Sequence, residues 1–315
     1  MLANMTFDPA VVIALVVGVA YVRAERRVRR ERGDRRFPRA RGLQFLAGLA
    51  IVLIALESPI DTASSTSFSV HMVQHLLLTM VAAPLLVLGA PVTLALLACS
   101  PANRRRLSAA LKHPPLLTLS YPIVAWALFF GVLWGSHLTG LFDASLRSDG
   151  VHALEHAAYL ATAVLFWMPV VGRDPAPLGL SHPGRILYLF LAMASMAFLG
   201  LALSGANHVL YPTYEAIEGT AKAAADQRIG GALMWISGMI LMLPALALVM
   251  LDWMRVDERE ARRMDARPPA PVRTDVGRAE AVSVPTPEEH AGAEPTIHAR
   301  SPGGGKRGEG YPGRL

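Results

Sequence analysis

The chain has 315 residues, 53% of them hydrophobic and only 17% charged. Its mean hydropathy is positive, which excludes an ordinary soluble globular protein and points to an all-α integral membrane domain. The formal net charge of +6 comes from arginine in connections and tail, a pattern of membrane topology and not a nucleic-acid footprint. Cys99 is the one cysteine, so an intramolecular disulfide, a CxxC copper motif and a cysteine zinc site are all excluded. Any metal must be held by His, Met, Asp or Glu.

Seven apolar runs read as membrane spans: 9–22, 42–56, 70–99, 116–134, 151–171, 186–210 and 229–253. The first two are short and must recruit flanking residues. Asp8 precedes the first run and arginines follow it, the reverse of a signal peptide's positive start, so it is expected to stay as a helix entering from outside. The third run is longer than a bilayer requires. Pro84 and Gly89-Ala90-Pro91 interrupt it, and each proline predicts a kink or a break. Residues 1–255 thus form a seven-transmembrane-helix bundle. From about Val256 charge, Pro and Gly dominate and no apolar face recurs, so 256–315 read as a disordered cytoplasmic tail.

Basic residues set the orientation. The connection 23–41 is dense in arginine, the connection after the third run carries Arg104, Arg105, Arg106 and Lys112, and the tail opens on Arg255, Arg259, Arg262 and Arg263. The alternate connections are poor in base: 57–69 has none and 135–150 has only Arg147. The N-terminus is therefore expected outside and the C-terminus in the cytoplasm.

On that topology six of the ten histidines gather at the outer face. His71 and His75 open the third span; His152 and His156 open the fifth. Spacing of four places both rings of a pair on one helix face. Interfacial histidines bonded to neighbouring helices are the plain alternative for either pair. Two pairs at similar depth, where ionisable groups are costly, favour a metal site. A shared site requires the two pairs to lie within about 12 Å of each other, allowing for two side chains and a metal. His208, at the end of the sixth span, reads equally as a ligand or a satisfied helix-end residue, and His137 reads as a loop residue.

Imidazole suits copper, zinc and iron, and a thioether selects Cu(I). Met72 adjoins His71 but points about 100° away around the helix, so it need not join the same site. Glu155 is placed to orient His156 from behind. Asp226 reads as the N-terminal cap of the seventh span or as an additional ligand, and Asp61 is a further acidic candidate.

A wider set of residues resembles the CtaG-like cytochrome c oxidase assembly factors, associated with caa-type oxidases. The matching pieces are Ser58-Pro-Ile-Asp61, His71-Met-Val-Gln-His75-Leu-Leu-Leu, Ala83-Pro84 through Gly89-Ala-Pro91, His152-Ala-Leu-Glu-His156 with Phe166-Trp167 and Pro169, and Asp226-Gln227-Arg-Ile-Gly-Gly231 with Met234-Trp235. The resemblance covers most of the membrane part and leaves out the tail. It implies a multi-pass protein of the bacterial plasma (inner) membrane, not an enzyme, that assists maturation of a haem–copper oxidase. Its partners would be oxidase subunits and membrane lipids, with a periplasmic copper donor as a further one, and copper would be its cargo. Two other readings stand beside it. His152-x-x-Glu155-His156 has the form H-x-x-E-H of certain zinc peptidases, which suggests a seven-helix membrane zinc hydrolase. A metal-free assembly scaffold is the third.

Overall fold

The computed structural model describes residues 9–172, 174 and 179–265. Among them every regular element is helical, as the composition predicts, and no strand occurs. The chain opens with α1 (Pro9–Arg32), whose apolar first half leads into an arginine-rich second half. Gly33, with φ 78°, ends it. Then come α2 (Arg39–Glu57), α3 (Pro59–Ser64) and α4 (Phe68–Leu76). Ser58 and Ser67 cap α3 and α4 by accepting backbone N–H groups of Ile60 and Val70.

The bend expected at Pro84 takes a specific form. Leu77–Ala82 make a π-helical turn, followed by α5 (Ala83–Leu88). The Ala83 N–H reaches back five residues to the Leu78 carbonyl. In that register residue 84 would bond to Thr79, but proline has no N–H to give. The indole of Trp167 donates to the Thr79 carbonyl instead, at 2.9 Å, so a side chain from another helix fills the gap. The second interruption is a true break. Ala90 sits in the left-handed region at φ 50°, and α6 (Pro91–Ala98) begins anew after it.

Two short proline-started helices follow, α7 (Pro101–Leu111) and α8 (Pro114–Leu119), and then α9 (Pro122–Leu138) and α10 (Leu141–Ser145). The single span expected at 116–134 is thus divided, because Pro122 starts a new helix, and α9 runs four residues further than predicted. α11 (Asp149–Val171) ends on left-handed Gly172. α12 (His182–Ser204) stops six residues before the predicted end, and α13 (Pro212–Glu218) fills the following connection. α14 (Thr220–Asp265) starts nine residues early and continues through Asp265. Residues 256–265 are therefore helical, not irregular; the charged residues there carry the helix on past its apolar part. The rest of the predicted tail lies outside the described residues.

By length and composition five segments suffice to cross a membrane: Arg39–Glu57, Phe68–Ala98, Asp149–Val171, His182–Ser204 and Thr220–Asp265. Apolar α9 has 17 residues and falls just short. Large apolar side chains face outward on these helices, among them Ile123, Leu154, Phe190, Phe198 and Leu248. Exposed apolar side chains in this number suit hydrocarbon and not water.

Inside the bundle α14 packs on α12 and α4, and α11 packs on α9 and α5. The α12–α14 crossing depends on Gly200 and Gly231. A Cβ on Gly200 would stand 2.6 Å from the Gly231 carbonyl oxygen, and one on Gly231 would stand 2.7 Å from that of Gly200. Small residues of this kind let two backbones touch where lipid gives no hydrophobic drive to association.

Candidate metal centre

The site forms where the start of α4, the start of α11 and the end of α9 meet at one end of the bundle, under α10 and α13. Both predicted pairs arrive there. Ring centres of His71 and His152 lie 5.1 Å apart, His71 and His156 6.0 Å, and His75 and His156 5.2 Å. These are well inside the distance that would have separated them into two sites. His71, His75 and His156 are buried and His152 is half-buried.

A relay of hydrogen bonds fixes the protons on the α4 pair. Burial holds the Tyr214 phenol well above its ordinary pKa, so it keeps its proton and donates it to the Ser64 carbonyl at 2.6 Å. Its oxygen is then free to accept from Nδ1–H of His71 at 3.0 Å. This leaves a lone pair on Nε2 of His71, which faces Nε2 of His75 at 3.0 Å and accepts its proton. Nδ1 of His75 is left buried without a partner, as are Nε2 of His152 and Nε2 of His156. A buried polar atom left unsatisfied costs about 1–3 kcal/mol, so three in one cluster are a marked departure from ordinary packing.

The donor set fits a metal. One ring nitrogen each from His71, His152 and His156 lies within 4.8 Å of the others. A tetrahedral centre with bonds of about 2.0–2.1 Å needs nitrogens about 3.4 Å apart, so side-chain rotations of about an ångström close it. His71 has its Nδ1–H tied to Tyr214, the usual way a ligating imidazole is oriented. Glu155 is half-buried with both carboxylate oxygens unpartnered, since the nearby Ser145 hydroxyl donates to the Phe142 carbonyl at 2.7 Å. One of those oxygens approaches His71 and His75 within 4.8 Å, so Glu155 joins the cluster itself instead of serving His156 from behind. Glu155 also lines a cavity of about 440 Å³ between α9 and α11, bounded by Gly131, Gly135 and Leu154.

The remaining candidates have other positions. Asp226 lies inside α14, not at its start, and its carboxylate accepts from Ser67 Oγ at 3.1 Å and Ser69 N at 3.2 Å. It therefore caps the neighbouring α4, not its own helix. Asp61 accepts from Gln74 Nε2 at 2.8 Å, and the same nitrogen donates to Ala55 O at 2.9 Å. Together they fix the face of α4 that carries the histidines. His208 is exposed in the α12–α13 connection and only its carbonyl is engaged, by Gln227 at 3.2 Å. Met72 is buried and turned away from the four histidines toward His137.

His137, expected in a loop, is a buried residue of the last turn of α9, 6.4 Å from His75 between ring centres. Ending the fourth span at Trp134 hid it. The polar pair Ser136-His137 directly after an apolar run was the available signal. Tyr214 was also missed, and nothing local in its sequence marks it.

Comparison with known proteins supplies the frame for this site. The model of the cytochrome c oxidase caa3 assembly factor family (Caa3_CtaG) matches residues 19–256. An uncharacterized protein of Mycobacterium leprae is 34% identical over 263 residues, covering 80% of this chain and 40% of its own length. An uncharacterized protein of Mycobacterium bovis is 32% identical over 261 residues, covering 80% and 39%. The chain thus spans about two-fifths of the length of these relatives. No solved structure matches it. The matched region contains all four paired histidines, and the chain belongs to the cytochrome c oxidase caa3 assembly factor family.

Proposed function

We propose that this protein assists assembly of a haem–copper oxidase in the bacterial plasma membrane by receiving copper at the four-histidine cluster and passing it on. The observation that carries this reading is the convergence of His71, His75, His152 and His156, three with an unpartnered buried nitrogen, in a member of an oxidase assembly family. Imidazole ligation without thiolate holds copper while leaving it exchangeable, as a delivery site requires. Oxidase subunits would receive the ion and a periplasmic donor would supply it. Protein purified in detergent should bind copper, and one equivalent per chain of it should be lost when all four histidines are replaced by Ala. Wild-type protein that binds no copper would overturn the reading.

The orientation belongs to the same proposal. With α1 and α9 added to the five segments named above, seven helices cross the membrane, and arginine-rich connections alternate with arginine-poor ones. This faces the cluster outward, where periplasmic copper arrives. A reporter fused after Trp253 is expected to be active only in its cytoplasmic form; periplasmic activity there would put the cluster on the wrong side for this function.

A second reading, hydrolysis at a zinc ion, draws on Glu155, whose unpartnered carboxylate stands beside the histidines where a general base would activate water. It predicts zinc in the purified protein. Glu155→Gln would then abolish hydrolysis while retaining the metal.

A further inference from the structure

Next to the four-histidine cluster, Nε2 of His137 faces the thioether sulfur of Met72 at 3.4 Å, with both residues buried. The proton of this imidazole is located by its other nitrogen. Nδ1 lies 2.8 Å from the Leu133 carbonyl oxygen, an atom that only accepts, so Nδ1 carries the hydrogen. The Ser136 and Tyr159 hydroxyls, 3.1 and 3.2 Å from Nδ1, bond to each other at 2.6 Å. Nε2 of the neutral ring then holds a lone pair, and a thioether has no hydrogen to offer it. Two electron-pair donors therefore point at each other in a dry interior.

We propose that Met72 and His137 form a second metal site, of soft character and selective for Cu(I). Thioether sulfur prefers Cu(I) over harder divalent ions, and imidazole accepts it as well. Metal–nitrogen and metal–sulfur bonds of about 2.0 and 2.3 Å spanning this gap meet at roughly 105°, so an ion sits to one side of the nitrogen–sulfur line and small side-chain rotations aim both donors at it. The Nδ1–H bond to a backbone carbonyl is the support a ligating histidine ordinarily has. Binding forms one bond to the Nε2 lone pair and one to sulfur. No proton is released from Nε2 and the ion keeps its charge. The His75 ring of the cluster lies 6.4 Å, centre to centre, from that of His137, so the soft site is the neighbouring station for an ion already in the bundle. In that role it rests on the copper reading above; as a binding site it stands on its own geometry.

The test is X-ray absorption and stoichiometry on the full chain in detergent, loaded anaerobically with Cu(I). Wild type is expected to show a copper–sulfur contribution near about 2.3 Å. Met72→Leu, close in shape, should lose that contribution and one copper per chain. His137→Phe, which keeps a ring against Phe142 and Tyr159, should lose the same copper, and thermal unfolding would verify that both variants are folded. Replacing the four paired histidines by Ala should leave the sulfur contribution in place. A wild-type spectrum with nitrogen neighbours alone, or a sulfur contribution unchanged in Met72→Leu, overturns the soft site. Sulfur-bound copper that persists when the four histidines are found to bind none would instead overturn the cluster reading and keep this one.

Discussion

Replacing His71 or His156 by Ala is expected to lower the activity of the cognate oxidase at least tenfold while this protein's abundance in the membrane stays within about twofold. The side chains removed have nitrogens that serve the cluster and little else. Nε2 of His156 has no partner to lose, and removal of His71 leaves Tyr214 still bonded to Ser64. The helices that carry them are held by other contacts, among them the Gln74 bonds to Ala55 and Asp61 and the Asp226 cap on α4. Losing one ligand weakens metal binding, and each tenfold corresponds to about 1.4 kcal/mol. Added copper should therefore restore part of the activity in single variants, since higher ligand concentration offsets lower affinity. His182→Ala is the control. Its ring stacks on Trp253 and meets Asp252 at 3.1 Å at the other end of the bundle, and its loss should leave oxidase activity unchanged. Oxidase activity in membranes, read beside an immunoblot of the variant, checks all of this. Full activity in the His71 and His156 variants would leave the cluster a structural feature and favour the scaffold reading.

Gly231→Leu is expected to do the opposite: the protein should largely disappear from the membrane, and oxidase activity with it. At 2.7 Å the new Cβ would overlap the backbone of α12 at both the Gly200 oxygen and the Ser204 nitrogen. Backbone atoms cannot rotate aside as a side chain does, so α12 and α14 must separate along the most extensive helix pair in the bundle. Overpacking at an ordinary core position costs about 1–3 kcal/mol; a clash against two backbone atoms should exceed that. Gly200→Leu should behave alike. Gly131→Ala is the matched control, because no atom lies within 4 Å of a Cβ built there. Abundance and thermal unfolding in detergent measure the difference. A stable Gly231→Leu protein would show that the crossing is not close in the membrane.

How much of this was legible beforehand differs between elements. Long apolar runs identified the helices because hydrocarbon imposes both their length and their composition. Helix ends were less readable. The sequence placed His208 in a span and His137 in a loop, and the structure reverses both, since apolarity fades gradually at a helix end while hydrogen bonding decides where it stops. Pro84 announced a bend, but a π turn completed by Trp167 depends on a residue 83 positions away. Asp226 announced a cap, but the helix it caps is α4, a neighbour in space.

By itself the sequence determined the helical membrane class, the two histidine pairs and the one-face geometry of each, because four-residue spacing on a helix is a local property. It also determined that no disulfide and no CxxC motif takes part, since Cys99 is alone. Only the tertiary structure decided that the two pairs meet, that Tyr214 and Ser64 set the proton on His71, that Glu155 turns into the cluster, and that Met72 finds His137. Each of these joins residues from separate helices, and which helices become neighbours is fixed by packing, here by close contacts such as Gly200 against Gly231, not by any spacing along the chain.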